Sequence, residues 1–270
     1  MQKVFCWILV LSFFYSCSGI KKNKNEFDRT DIIKFHISKI IEFASFYHLE
    51  IPEPEKINHI DSFDNEGFKK KAIAFGENGK PERIMMYSYL QDDLISIEGF
   101  SPDSGFIFKE VRNYNEKHQR QDLYFYQPDG SYKYRNSATF DPEGNMVELK
   151  WYWTTGLSAV NKYVYEKGNM VRNTEFGPEG NLRYQWNFTY DENNHLIESV
   201  QFSPEGKTIS KIANRYNVDG LLVEQINYFG ESVQNIYTYK YNNKKLLVEK
   251  ILYSGTKKIS ASFRYEYEYY

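Results

Sequence analysis

The residues able to do chemistry are few, and their spacing argues against most of it. His118 sits in the polar run Tyr114-Asn-Glu-Lys-His118, with no carboxylate or nucleophile specifically spaced to it, so a general acid or base there lacks its partner. His195 falls within another polar turn and reads as solvated, and His36 and His48 have nothing to pair them for catalysis. The acidic turns Asp141-Pro-Glu143-Gly144-Asn145 and Asp191-Glu-Asn-Asn194 offer oxygens that calcium favours, but not with the ligand spacing of an EF-hand or an RTX loop. One stripe stands out: Glu148, Glu198, Glu224 and Glu249 each lie four residues before an aromatic, and Arg172 interrupts the row. Two readings of it stay open. The glutamates pair with Tyr, Asn or Lys on neighbouring strands. Or Glu198, Glu224 and Glu249 line a ligand-binding groove with Tyr184, Tyr190 and Tyr216, whose rings stack on sugars while the carboxylates bind hydroxyls. No catalytic residue, cofactor or metal site is expected, and the chain does not read as an enzyme.

What must position these side chains is a repeat. Phe63, Tyr89, Tyr114, Phe140, Tyr165, Tyr190, Tyr216 and Tyr241 are separated by 25 or 26 residues and each enters a polar turn. A second series, Phe75, Phe100, Tyr126, Tyr152, Phe176, Phe202, Tyr228 and Tyr253, runs interleaved at separations of 24 to 26. Such periodicity is read before any local motif. Between the turns, Leu182, Tyr184, Trp186, Phe188 and Tyr190 alternate with polar residues, the pattern of a half-buried strand. Prolines at 102, 128, 142, 178 and 204 stand directly before an acidic residue, where a type I turn takes proline, and glycines follow at the turn's fourth position in most copies. The expected fold is therefore mainly β: an extended antiparallel hairpin array of about 25 residues per repeat and about sixteen strands. It reads as a single twisted or curled sheet.

The N-terminal part differs. Lys3, an apolar run from Val4 to Tyr15, and Ser16-Cys17 resemble the lipobox of bacterial lipoproteins, with Phe14 and Tyr15 departing from its strict form. That resemblance implies a signal peptide over 1–16, a lipidated Cys17 and a polar tether over 17–28. The alternative is an uncleaved anchor, to which Lys21, Lys22 and Lys24 point. Cys6 and Cys17 are the two cysteines, so cleavage leaves one, acylated, and no disulfide. Residues 29–58 read as an N-terminal helix and a linker with Pro52 and Pro54: Ile33, Ile37, Ile40, Ile41, Ala44 and Tyr47 share a helical face, expected to cap the sheet's first edge. Residues 59–270 form the repeat domain, ending in an alternating strand open to pairing, with Glu266 and Glu268 as its deterrent.

Gly180, Phe188-Thr-Tyr190-Asp191, Leu196 and Gly206 resemble the YD repeat of Rhs and teneurin proteins, and the Phe-x-Pro-Glu-Gly turns resemble MORN-variant hairpins. The resemblance implies an antiparallel sheet for binding, display or encapsulation, with no catalytic residues. With 34 Lys and Arg against 36 Asp and Glu, no basic excess invites nucleic acid. The expected protein is a lipid-anchored cell-envelope module, addressed to the outer membrane, that binds a protein or glycan. A toxin-system component, immunity protein or Rhs-like carrier, is the alternative.

Overall fold

The computed structural model describes residues 29–255 and 257–270. The expected signal peptide over 1–16, the lipidated Cys17 and the tether over 17–28 lie outside the described residues. A short helix, α1 (Arg29–Lys34), leads into β1 (Ile37–His48) and the two-residue β2 (Ile51–Pro52). Hairpins follow: β3 (Lys56–Phe63) and β4 (Lys69–Phe75), β5 (Pro81–Leu90) and β6 (Asp93–Ser101), β7 (Gly105–Tyr114) and β8 (Arg120–Tyr126), β9 (Tyr132–Phe140) and β10 (Met146–Trp153). The second half repeats the plan with β11 (Gly156–Glu166), β12 (Asn169–Phe176), β13 (Leu182–Tyr190), β14 (Leu196–Phe202), β15 (Thr208–Tyr216), β16 (Leu222–Phe229), β17 (Ser232–Tyr241), β18 (Leu247–Ser254) and β19 (Ile259–Tyr269).

Successive strands from β3 to β19 pair antiparallel, and β1 pairs with both β3 and β19. The sheet closes on itself: with β2 outside the ring, 18 strands form a barrel. This corrects two expectations. The sheet is not open, twisted or curled, and β19 is not a bare edge, because Phe46 to Ile37 of β1 run beside Ala261 to Tyr269. Nor does a helix cap anything like a first edge. Among the described residues only Arg29–Lys34 are helical, and after a turn the rest of the predicted helix is β1.

The helix-like periodicity of this stretch has a specific cause. Ile37, Ile40 and Ala44 of β1 are all buried, at the three- and four-residue spacing of a helix face. A register shift between Ile37 and Lys39 produces the first interval, and the inward position between Ile40 and Ala44 is held by a polar residue, Glu42. A bulged strand with one inward charge thus imitates helical periodicity. His36, at φ 53°, turns the chain from α1 into the strand.

The turns follow their residues. Gly130 N donates to Gln127 O at 3.0 Å with Pro128 second in the turn, and Asp191 and Asn194 close the same loop around the positive φ of Asn194. Beside each turn the register slips by one residue, at all sixteen aromatics of the two series. Bulges at barrel rims re-aim side chains, and here they sort the series. Buried Ala72, Asn136, Leu149, Asn173, Ser199 and Ala261 mark the inner face. By strand alternation the first series points inward at one end and the second points outward at the other.

At the first end the tyrosines act as latches. The hydroxyls of Tyr114, Tyr190, Tyr216, Tyr241 and Tyr267 donate to the carbonyls of Leu94, Met170, Leu196, Leu222 and Leu247 on the preceding strand, at 2.6 to 3.0 Å. Around them Ile37, Met146, Met170 and Leu222 are fully buried, and Ile32 of α1 packs in with Leu246 and Leu247. Burial pushes the Tyr190 and Tyr241 hydroxyls up to about 12. This tyrosine end is the apolar core of the molecule, and both the described N-terminal helix and Tyr270 lie there.

Candidate functional site

The opposite end is built otherwise. Large inward side chains near it stay in contact with solvent: Phe46 is 47% exposed, Trp153 44%, Tyr184 41% and Phe229 56%. A closed ring of this many strands encloses more space than side chains fill, so these rings line the mouth of a cavity and are not packed core. Along one arc they form a ladder over four strands. Phe108 stacks on Phe125 at 5.0 Å, Phe125 on Tyr134 at 4.9 Å, and Tyr134 meets Trp151 and Trp153 at 6.0 and 5.5 Å. The ladder begins where Phe108 lies across Gly99: a Cβ there would come within 2.1 Å of the ring. Gly99→Ala is expected to displace Phe108 and cost about 1–3 kcal/mol, read as a lower Tm with an altered near-UV dichroism. An unchanged aromatic signal would show that the ladder does not depend on this contact.

Deeper in, the inner face carries paired charge. Glu110 accepts from Arg112 Nε at 2.5 Å, with both side chains largely buried. Nearby, burial first and Glu110 second push Tyr134 up to about 12. Across the seam where β1 closes the ring, Glu42 accepts from Tyr265 Oη at 2.6 Å and Asn58 Nδ2 at 2.5 Å, and Lys250 Nζ stands 3.8 Å away. Burial lowers the Lys250 ammonium from its ordinary range and raises Tyr265 far above its own. Asp61 is flanked by His59 at 2.8 Å and Lys69 at 2.7 Å; burial opposes its charge, but these partners together hold it below the usual carboxylate range.

The six residues expected to share a groove are divided by the barrel wall. Tyr184 faces the cavity at the mouth, Tyr190 and Tyr216 are latches at the tyrosine end, and Glu198, Glu224 and Glu249 are on the outer face. Each glutamate there meets a cation: Glu198–Lys211 at 3.8 Å, Glu224–Arg215 at 3.3 Å, Glu249–Lys240 at 2.6 Å and Glu148–Lys150 at 2.9 Å. The outward aromatics of the second series are overlaid by cations too, as Lys211 over Tyr228 and Arg135 over Tyr152. Two of the histidines do find carboxylates, one distant in sequence and one four residues away. His118 Nδ1 is 2.8 Å from Asp93, and His195 Nδ1 is 2.9 Å from Asp191 with its ring stacked on Tyr216. His195 and Tyr216 line an open cleft of about 530 Å³, but Asp191 is already engaged by the His195 ring and by the amides of Asn193 and His195, which leaves no acid–base dyad aimed at a substrate. No group of three metal-ligating side chains gathers among the described residues.

No protein-family model matches the chain and no curated protein matches it, so the YD- and MORN-type likeness rests on the motif residues alone. Among solved structures, a porin-like protein from Bacteroides uniformis aligns with a TM-score of 0.47 at 11% identity, over 86% of this chain and 98% of that one. A porin-like protein from Bacteroides vulgatus aligns with a TM-score of 0.36 at 11% identity, over 87% and 99%. The Photorhabdus luminescens Tc holotoxin pore aligns at 0.20 and 10% identity, over 83% of this chain and 18% of that one.

Proposed function

We propose that the protein is a lipid-anchored, non-catalytic envelope module whose barrel stands in water beside the membrane and receives a protein or glycan in its aromatic mouth. The observation that carries this reading is the sorting of side chains between the two faces of the wall. A lipid-facing barrel needs an outward apolar band about 25 Å tall, and a cation at the middle of that band costs about 2–4 kcal/mol. Here Glu98, Lys109, Lys150, Lys162 and Arg172 point outward at or near mid-strand, alternating with inward aromatics and amides. The outer wall therefore suits water. The inner wall, with exposed rings at one end only, has the concave, aromatic character of a ligand site in a barrel mouth.

The protein supplies its own reporter. Apart from Trp7, its tryptophans are Trp151, Trp153 and Trp186, all on the inner face near the mouth. Titrating the purified protein with size-fractionated envelope extract should shift or quench tryptophan emission saturably, and Trp153→Phe should reduce the response. Emission that ignores every fraction would sink the mouth as a binding site.

A further inference from the structure

Beyond the mouth itself, the inner face of β14 to β17 has a composition of its own. Its inward positions include Gln201, Ser210, Gln225, Asn227, Asn235 and Tyr237. None is ionisable at neutral pH, whereas the outward positions of the same four strands carry Glu198, Lys211, Arg215, Glu224 and Lys240. Gln201 sits opposite Ser210, Asn227 opposite Asn235 and Gln225 opposite Tyr237, with Ile212, opposite Asn227, between the first pair and the other two. They are half-buried and within reach of a molecule in the cavity. Ser210 Oγ donates to Gln201 Oε1 at 3.0 Å and Gln225 Nε2 to Asn227 Oδ1 at 2.9 Å, which spends carbonyl oxygens and leaves the amide N–H groups of Gln201 and Asn227 as donors. Trp186, opposite Gln201, borders this lane on one side. Phe229 closes it toward the mouth.

From this lining we infer that the lane on β14 to β17 binds a neutral saccharide chain, an inference that rests on the mouth being a binding site and names its ligand class. An anionic ligand would meet no cation in the lane, and a cationic one no carboxylate. An acyl chain would strip water from four amides without replacing their hydrogen bonds, at roughly 1–3 kcal/mol each. A peptide strand could not add to the sheet, because the ring is closed and its backbone groups are already paired. A hydroxyl-rich ring both donates to and accepts from amides, and its apolar face suits Trp186 and Tyr237.

The full-length protein in a detergent without a sugar headgroup can be titrated with maltohexaose, chitohexaose, an oligogalacturonate, an uncharged dodecapeptide and palmitate, following tryptophan emission. A neutral hexasaccharide should give a saturable change. Asn227→Leu and Gln201→Leu should each weaken it about tenfold or more, as loss of a hydrogen bond plus an unsatisfied hydroxyl implies. Glu224→Gln, on the outer face, should leave it unchanged. If Asn227→Leu does not fold, Gln201→Leu and the protection of Trp186 from acrylamide by bound saccharide carry the test. A saccharide response that survives the inner-wall substitutions, or a response only to oligogalacturonate, peptide or palmitate, overturns the inference while leaving the mouth a binding site. Silence toward every probe overturns both.

Discussion

A chain in which residues 1–17 are exchanged for a cleavable secretory leader lacking the cysteine is expected to leave the membrane fraction and fold as a soluble protein. The first 16 residues supply an apolar run of signal-peptide length, and on the proposed reading Cys17 is the attachment point for acyl chains. Each buried methylene contributes about 0.8 kcal/mol, so two or more chains hold a protein stably at a bilayer. On the same reading the barrel contributes nothing comparable, since its outer wall carries ion pairs such as Glu249–Lys240 and Glu98–Lys109 where lipid would require leucines. Among the described residues no helix is long and apolar enough to span, and the strands present charge. Wild-type protein should incorporate labelled fatty acid and Cys17→Ser should not. The serine variant should remain membrane-bound at precursor mass, because its apolar run is no longer removed. A leader-exchanged chain that still sediments with membranes after carbonate washing would show that the barrel itself is embedded, and the reading of its outer wall would fall.

The sixteen aromatics illustrate what the sequence could and could not disclose. Their 25-residue step located every turn between β3 and β19, because turn chemistry is local: proline and glycine fix backbone angles whatever lies across the sheet. Which way each aromatic points was not legible. The inward set at one end and the outward set at the other follow from one-residue slips between strands, and a slip is a relation between two strands that a single pattern does not contain. Closure was hidden for a related reason. It depends on β1 finding both β3 and β19, more than 200 residues away in the second case, and a bulge plus Glu42 had disguised β1 as a helix. The neutral lane on β14 to β17 was within reach of the alternation already visible, since Gln201, Ser210, Asn227 and Asn235 occupy inward positions. The glutamates that alternate with these positions dominate the sequence pattern and mask it.

Glu42→Leu should destabilise the barrel by about 3–5 kcal/mol, lowering Tm by roughly 10 °C for a chain of this size. Glu42 sits at the closing strand and holds three groups from three neighbours: Asn58 of β3's bulge, Tyr265 of β19 and Lys250 of β18. Leucine would fill its volume yet strand the Lys250 ammonium over the Phe263 ring at 4.0 Å with no counter-charge. An unpaired buried charge, more than the lost hydrogen bonds, sets the size of the effect, so Glu42→Leu combined with Lys250→Met should recover most of it. The pH dependence has a definite sign. Lys250 already titrates below its unfolded value, and losing Glu42 lowers it further, so the unfolded chain binds more protons over that window and stability rises with pH. The defect of Glu42→Leu should therefore shrink between neutrality and about pH 10, where an unfolded tyrosine begins to ionise and the raised Tyr265 works in the opposite direction. If the double variant is no more stable than Glu42→Leu alone, the seam is held by backbone pairing and packing, and the charges beside β1 are passengers.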